Sequence, residues 1–434
     1  MGIRGLTQLV SFLKQTKKIP FQNIQQFENQ IWAIDASLFL YRARSMSVTN
    51  NEQIARKPSK FRNITYDVPF DKSHLVGIID IFCQLLDSKI LPFFVFDGEP
   101  PSEKNDTILK RREEKLKLQK KVEWVEKLIN SSQTSSILFD PSNVTTTNNM
   151  NNMNNMNNMN NSKSWADIVK HSQQVNIDMT NREIEDIKKN IDKHKQQLSA
   201  VFLEPQHVYQ TQTLCQIIGI PFLQSQGEAE VSCVTLQKNG IVHAVYTADS
   251  DVLVYGCTKM IRRIFNGNTV DVLDHDFILQ ELSLTHEQFV RFCILMGCDF
   301  CDGLITNNTD ITPNNILKIA KNPDLQNNLL FNNFTQSMGE EWVEKAYRAF
   351  ELYTNYEDMN QPEIQTIQFN NITKNKEQII LELHEQLQMN GEYVERLVTQ
   401  ILDAYHTYFF KDLPDLPDLP DQTNQTNQTV NSCL

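Results

Sequence analysis

The sequence predicts an α/β protein with a mostly parallel central sheet flanked by helices. Three apolar segments have the composition of buried strands, and each ends in an aspartate: QIWAID (30–35), ILPFFVFD (90–97) and IVHAVYTAD (241–249). Segments with helical periodicity lie between them, over residues 71–89 and 227–238. Strands that alternate with helices favour a parallel, doubly wound sheet.

The three strand-end aspartates are Asp35, Asp97 and Asp249. In a doubly wound sheet the functional crevice lies outside the carboxyl ends of the strands. We therefore expect these side chains to line one crevice. Four more acids lie beside predicted strand or helix ends: Glu228, Glu230, Asp251 and Asp299.

Helix ends carry several of these acids. Glu228 and Glu230 open a helix, and side chains of a first turn can reach a crevice at the helix start. The segment 284–299 predicts an amphipathic helix capped by Thr285, and Asp299 follows its end.

The acids together predict a metal site. Seven carboxylates cannot share a crevice while all are ionised, so some hold protons or divalent cations neutralise them. All-oxygen ligation favours Mg²⁺, with Mn²⁺ as a substitute, over zinc. Two ions about 4 Å apart would suit phosphodiester cleavage, one activating the attacking water and the other stabilising the leaving oxygen.

Other interpretations of the acids exist. Each acid taken alone is more simply a helix cap or a turn residue. A phosphotransferase of the haloacid-dehalogenase type also has strand-end aspartates, but it needs a nucleophilic Asp-x-Asp after the first strand. Here that position has the sequence AIDASLF, which counts against it.

The composition limits the classes of protein. Hydrophobic residues make up 40% of the chain, and the net charge of −12 argues against binding nucleic acid over the whole surface. The cysteines lie mostly in apolar runs, and Cys298-x-x-Cys301 has no second pair with which to complete a zinc site. We recognise no signal peptide or membrane-spanning run, so we expect a soluble intracellular protein.

Seven short motifs follow one another along the chain: MGIRGL (1–6), AIDAS (33–37), SHLVGII (73–79), VFDGEPP (95–101), GIPFLQSQGEAEVSC (219–233), ADSDVL (248–253) and RFCILMGCDFCDG (291–303). In their order and character they resemble those of the flap endonucleases, which are structure-specific 5′ nucleases of DNA replication and repair. The resemblance implies Mg²⁺-dependent cleavage of DNA near the junction of a duplex and a 5′ arm.

The resemblance also implies roles for individual residues. The first ion would be bound by Asp35, Asp97, Glu228 and Glu230, and the second by Asp249, Asp251 and Asp299. The residues expected to be catalytic are Asp35, Asp97, Glu228, Asp249 and Asp251, together with Lys104 and Arg111.

Lys104 and Arg111 match the two active-site bases of the family. Their spacing of two helical turns puts them on one face, where they would hold the scissile phosphate. Tyr41 matches an aromatic residue that stacks on a base, with a core tyrosine as the alternative. Gly2 and Gly297 complete the expected substrate-binding positions.

The resemblance implies a helical arch and a helix–hairpin–helix element that binds duplex DNA. Asp310 and Thr312 replace the usual hairpin glycines, which predicts a looser grip on phosphate, and Thr309 or Asp310 is expected to cap the next helix. The expected regions are an N-terminal nuclease region with the start of the arch (1–130), a disordered Asn-rich insertion (131–196), an internal nuclease region with the hairpin (197–335), a helical C-terminal region (336–411) and a disordered tail (412–434).

Two alternatives to a flap endonuclease stay open: a 5′→3′ exonuclease or junction-resolving relative, and a non-catalytic scaffold that binds DNA or metal. The expected partner is DNA with a 5′ flap or junction, with no membrane, and the chain is expected to be a monomer. QILDAYHTYFF (400–410) has the components of a sliding-clamp motif without its spacing. The expected location is the nucleus or a cytoplasmic site of DNA replication.

Overall fold

The structure is a computed structural model in which the backbone is described over most of the two regions that carry the motifs. The described residues are 3–17, 19–53, 70–105, 107–110, 112–113, 116–117, 120, 203–265, 268–304, 312–322, 331–355 and 372–410. Gly2, Arg111, the Asn-rich insertion and the tail 412–434 lie outside them.

Within the described residues, one sheet of seven strands forms the centre of the fold. The strands are β1 (Gln22–Asn23), β2 (Ile31–Asp35), β3 (Leu91–Phe96), β4 (Phe222–Gln224), β5 (Ala244–Tyr246), β6 (Lys259–Phe265) and β7 (Thr269–Asp274). Their order across the sheet is β1-β7-β6-β5-β2-β3-β4. The five strands from β6 to β4 are parallel, whereas β7 is antiparallel to both β6 and β1. The predicted mostly parallel sheet is confirmed.

Helices follow or precede the strands on both faces of the sheet. Those within the described residues are α1 (Leu6–Thr16), α2 (Ala36–Gln53), α3 (Ser73–Asp87), α4 (Pro205–Ile218), α5 (Ala229–Lys238), α6 (Asp251–Val254), α7 (His275–Leu282), α8 (His286–Met296), α9 (Pro313–Lys321), α10 (Thr335–Met338), α11 (Glu340–Thr354), α12 (Lys376–Leu387) and α13 (Glu392–Phe410). A 3₁₀ turn, Ser102–Lys104, follows β3, and the described residues between 105 and 120 are helical.

The side chains of the central strands alternate between two hydrophobic cores. Trp32 and Ile34 of β2 pack in one core with helices α2, α3, α4, α12 and α13. Ala33 packs in the other with helices α1, α5, α8 and α11. Because helices cover both faces, the strand reads as an unbroken apolar run rather than as an alternation of apolar and polar residues.

The hydrogen bonds at the N-termini of α8 and α9 test the helix caps expected from the sequence. The Thr285 cap of α8 is confirmed, since the backbone N–H of Gln288 donates to Thr285 Oγ1 at 3.2 Å. The expected cap of α9 was wrong. Thr312 caps that helix, with the N–H of Asn315 donating to its hydroxyl at 3.3 Å, because Pro313 occupies the first helical position. The hairpin residues 305–311 lie outside the described part of the chain.

The segment with clamp-like composition is part of a packed helix. Residues 400–410 belong to α13, where Ile401 and Tyr405 are buried. The phenol of Tyr405 donates a hydrogen bond to the carbonyl of Ile218 in α4. Cys298 and Cys301 are buried free thiols, as a structural role predicts. No helix in the described ranges is long and apolar enough to cross a bilayer.

Asp80, on α3, should couple the stability of the fold to pH. Burial raises the pKa of this carboxyl to about 7, and its Oδ1 makes no hydrogen bond with any described residue. Between the ordinary pKa of an unfolded aspartate, about 4, and this value, the folded state keeps a proton that the unfolded chain releases. The free energy of unfolding therefore falls as pH rises through that window.

We expect Asp80→Asn to match the wild type in stability near pH 4 and to exceed it by roughly 4 kcal/mol above pH 7. Urea unfolding across this pH range measures the difference. The same substitution at Asp276, whose side chain is 92% exposed, serves as the control. A constant difference between Asp80→Asn and wild type across the range would contradict the assignment.

Candidate active site

The strand ends bring three of the predicted acids to one edge of the sheet. Asp35 is the last residue of β2, Asp97 directly follows β3, and Asp249 follows β5 by a short loop. β2 pairs with both β3 and β5, so the three carboxyl ends are neighbours. The topology therefore places the predicted crevice at this edge of the sheet.

Asp35 is held by two hydrogen bonds. Thr247 Oγ1 donates to Asp35 Oδ2 at 3.0 Å, and the N–H of Leu38 donates to Oδ1 at 3.3 Å. Burial, followed by the charges of Asp97 and Asp249, raises the pKa of Asp35 to about 8 despite these bonds. The charges of Asp97 and Asp249 act on Asp35 because the three carboxyls lie near one another.

The loop after β3 is joined to the loop before α5. The N–H of Gly98 donates to the carbonyl of Gly227 at 2.7 Å, and that of Glu99 donates to Gln226 at 3.0 Å. A Cβ on Gly98 would lie 2.2 Å from the carbonyl oxygen of Ser225, so no larger residue fits without moving the backbone. This close approach fixes the position of Asp97 relative to α5.

Asp97 and the first turn of α5 form a single unit. Asp97 Oδ1 accepts from the N–H of Ala229 at 2.9 Å, so an acid from β3 satisfies an N-terminal donor of α5. Glu228 is the N-cap residue of this helix and Glu230 lies in its first turn. Burial, then the charges of Asp35 and Asp97, raises the pKa of Glu230 well above its ordinary value.

Lys104 lies among the acids. Its side chain, 8% exposed, donates a hydrogen bond to Glu228 Oε1, and its Nζ is 3.6 Å from Asp299 Oδ2. The ammonium is 5.2 Å from the centre of the Phe300 ring. Burial acts to lower the pKa of Lys104, but the surrounding carboxylates, Glu228 foremost, raise it above its ordinary value. Lys104 is therefore a fixed positive charge within the crevice.

Asp249 and Asp251 are connected by the start of α6. Asp249 Oδ1 accepts from the N–H of Asp251 at 3.1 Å, and Asp251 Oδ2 accepts from the phenol of Tyr353 at 3.2 Å. The other oxygen, Asp251 Oδ1, is buried and has no hydrogen-bond partner among the described residues. Burial, then the charge of Asp249, raises the pKa of Asp251 well above its ordinary value.

Glu228, Asp249 and Asp299 complete the set of seven predicted acids. Burial raises the pKa of Glu228, although the Lys104 ammonium opposes that rise, and burial likewise raises the pKa of Asp249. The carbonyl of Asp299 accepts from Thr107 Oγ1 at 2.6 Å, which ties the loop after α8 to the helical segment that follows Lys104.

These residues fit a divalent cation by their chemistry. The donor set is entirely carboxylate oxygen, which suits Mg²⁺ or Mn²⁺. The unpartnered Oδ1 of Asp251 is a buried acceptor that a cation would satisfy. Among the described residues, however, no three acidic, histidine or cysteine side chains are already grouped closely enough to hold an ion. A bound ion would bring the carboxylates closer together. Its charge would neutralise part of the negative charge that the Lys104 ammonium neutralises here.

The predicted substrate-binding residues differ in their placement. Tyr41 is half-buried and lines a cavity of about 310 Å³ with Arg42, Ala248 and Arg262, beside Asp249. Gly297 has φ +106°, and its carbonyl accepts from the N–H of Arg4 at 3.0 Å, so its glycine is required by the backbone where α8 ends.

Two residues of the site were missed in the sequence. Thr247 joins two strand ends, since it donates to Asp35 and accepts from the N–H of Asp249 at 3.1 Å. Its place just before the Asp-x-Asp pair was a usable signal. Tyr353 lies 102 residues after Asp251, and no local pattern connects the two.

Two family models match the parts of the chain that carry the predicted acids. The chain matches the XPG N-terminal domain over residues 1–118 and the XPG I-region over 219–299. It is 26% identical over 370 residues to flap endonuclease 1 of Cryptosporidium muris, covering 82% of this chain and 62% of that protein. It is 26% identical over 325 residues to flap endonuclease 1 of Ostreococcus lucimarinus, covering 74% of this chain and 65% of that protein. The chain thus spans less than two thirds of the length of these two relatives.

A solved structure shows the same fold. The catalytic core of Rad2 in complex with DNA substrate superposes with a TM-score of 0.53 at 17% identity, covering 92% of this chain and 100% of that one. The fold expected from the sequence is therefore confirmed, as is the resemblance to the flap endonucleases.

Lys104→Met should show whether the Lys104 ammonium and a divalent cation neutralise the same carboxylates of the crevice. In EDTA the variant leaves Glu228 and Asp299 without their cation, and we expect it to lose about 3 kcal/mol of unfolding free energy. Excess Mg²⁺ should recover more stability in the variant than in the wild type, because a divalent cation supplies the missing charge. Denaturant unfolding with EDTA and with Mg²⁺ measures both effects.

Lys110→Met is the matched control, since Lys110 is 69% exposed and pairs only at 3.5 Å with Asp302. It should change stability little under either condition. Equal losses for the two lysines, or no greater recovery by Mg²⁺ in Lys104→Met, would show that Lys104 does not balance the charge of the acids.

Proposed function

We propose that this chain, a relative of the flap endonucleases through its XPG N-terminal domain and XPG I-region, is a divalent-metal-dependent, structure-specific nuclease. It would hydrolyse a phosphodiester of DNA close to the junction between a duplex and a 5′ flap. The observation that carries the proposal is the pairing of Lys104, from the first matched region, with Glu228 and Asp299 of the second, in the crevice that Asp35 also lines.

The acids are proposed as ligands of two Mg²⁺ ions, for which Mn²⁺ could substitute. One group is Asp35, Asp97, Glu228 and Glu230, and the other is Asp249, Asp251 and Asp299. When bound, such ions supply a deprotonated water as nucleophile and stabilise the charge of the leaving oxygen. Support comes from the all-oxygen donor set, the raised pKa values and the unpartnered oxygen of Asp251.

The chain's own residues would bind and orient the substrate. The Lys104 ammonium lies where it can exchange Glu228 for the scissile phosphate and stabilise the charge that develops there. Arg111 is proposed for the same task on the basis of its spacing from Lys104. The cavity lined by Tyr41, Arg42 and Arg262 has the aromatic surface and the cationic groups that a nucleotide beside the cut requires.

The alternatives are separated by what they predict for the acids. A scaffold that binds DNA without a metal has no need for a crevice in which burial raises the pKa of several carboxyls, since each of them destabilises the fold when ionised, whereas a metal-binding scaffold would share this crevice. A 5′→3′ exonuclease or a junction-resolving enzyme would have the same crevice and differ in how DNA is guided to it. The crevice therefore supports metal-dependent hydrolysis in each of these nucleases and does not distinguish among their DNA substrates.

Partners and location follow from the same proposal. We propose a monomer that acts on DNA where DNA is replicated or repaired, without a membrane partner. A sliding clamp would have to bind elsewhere than residues 400–410, because Tyr405 of that segment packs inside the fold.

The test is cleavage of an end-labelled 5′-flap DNA with Mg²⁺ or with EDTA. We expect the wild type to cut at the flap junction only with Mg²⁺, and Asp249→Ala to reduce the rate roughly a thousandfold. Asp276→Ala, an exposed acid on α7, should retain full activity.

A panel of blunt duplex, gapped duplex and four-way junction DNA distinguishes the relatives. Preference for the blunt 5′ end would assign an exonuclease, and symmetrical cuts in the junction would assign a resolving enzyme. Binding of flap DNA without cleavage under every metal condition would reject the nuclease and favour the scaffold.

A further inference from the structure

Helix α11 reaches the crevice although it lies outside both matched regions, which end at residues 118 and 299. Near its C-terminal end, the phenol of Tyr353 donates to Asp251 Oδ2 at 3.2 Å. Five residues earlier, Arg348 Nε donates to Glu103 Oε1 at 2.7 Å, next to Lys104. One helix thus contacts an acid of the site and the turn that carries its cation.

The Tyr353 contact is fully internal. Tyr353 is 0% exposed and Asp251 is 2% exposed, so the hydrogen bond is not in competition with water. The ring of Tyr353 packs against Tyr255 at 4.9 Å between centroids and against Phe300 at 5.2 Å. Phe300 is the ring over which the Lys104 ammonium lies. Packing against these two rings holds the phenol beside Asp251.

We propose that Tyr353 is a positioning residue for metal binding, which sets the orientation of the Asp251 carboxylate so that Oδ1 is the oxygen offered to a divalent cation. This inference rests on the proposed nuclease function. The phenol engages Oδ2, while Oδ1 has no hydrogen-bond partner among the described residues. A hydrogen bond to one oxygen of a carboxylate fixes the direction in which the other points.

The choice of donor suits this task. A phenol is a neutral donor at neutral pH, so it orients the carboxylate without adding positive charge beside the place of the cation. A lysine or arginine in the same place would neutralise the charge of the Asp251 carboxylate and would compete with the metal ion for it. Lys104 already occupies that role with Glu228 and Asp299, one acid from each proposed ligand group.

The Arg348 contact supports the same helix at a second point. Arg348 is 45% exposed and Glu103 24% exposed, so this ion pair contributes little free energy alone. Its position matters more, because Glu103 precedes Lys104 in the turn Ser102–Lys104. The helix therefore holds two parts of the crevice at a fixed separation.

The experiment compares Tyr353→Phe with Tyr405→Phe. Each variant removes only a buried phenol oxygen that donates one hydrogen bond, but Tyr405 donates to the carbonyl of Ile218 in the other core. Binding of Mn²⁺ without DNA is measured by electron paramagnetic resonance, stability by thermal unfolding in EDTA, and cleavage of 5′-flap DNA as kcat and KM.

We expect similar losses of thermal stability in the two variants, because each loses one buried hydrogen bond. Only Tyr353→Phe should weaken Mn²⁺ binding, by roughly tenfold, as deletion of a partner behind a metal ligand does. It should lower kcat at limiting Mn²⁺ with little change in the KM for DNA, and excess Mn²⁺ should restore most of that loss. Tyr405→Phe should bind Mn²⁺ and cleave DNA as the wild type does.

Wild-type Mn²⁺ affinity in Tyr353→Phe, or an equal loss in Tyr405→Phe, would overturn the role of Tyr353 and leave the nuclease intact. A wild-type protein that neither binds Mn²⁺ nor cleaves flap DNA would reject the proposed function and this inference with it. The two failures are thus distinguished by the wild type alone.

Discussion

The site depends on a charge imbalance that the fold imposes. Acids from separate strands and helices are brought to one edge of the sheet, where burial and mutual repulsion raise the pKa of Asp35, Glu230 and Asp251. Lys104 compensates part of this charge through Glu228 and Asp299. Clustered negative charge lowers the stability of the fold, and binding of a cation would recover that free energy. The charge imbalance and the proposed metal site therefore have one cause.

The topology explains why distant segments must cooperate. β2 pairs with β3 on one side and with β5 on the other, so the N-terminal and internal regions build one sheet and one crevice. Helix α11 contacts the crevice from outside both matched regions, through the hydrogen bond of Tyr353 with Asp251. The chemistry is thus assembled from three parts of the chain.

The sequence predicted what depends on local pattern. Strand ends at Asp35 and Asp97 and the Thr285 cap follow from hydrophobic runs and short-range capping rules, and they were confirmed. The roles of Thr247 and Tyr353 depend on contacts across the fold; the place of Thr247 before the Asp-x-Asp pair is a local signal, whereas no local pattern connects Tyr353 with Asp251. The cap of α9 was misplaced because Thr309, Asp310 and Thr312 are all good caps, and only the position of Pro313 decides among them.

Crystals of the wild-type protein grown with Mn²⁺ and measured at an anomalous wavelength would test the charge-balance claim most directly. We expect Mn²⁺ peaks among the seven carboxylates, one of them bonded to Asp251 Oδ1, with the Lys104 ammonium withdrawn from Glu228. Crystals in which the crevice holds no Mn²⁺ and Lys104 still contacts Glu228, at ion concentrations that support cleavage in solution, would contradict it.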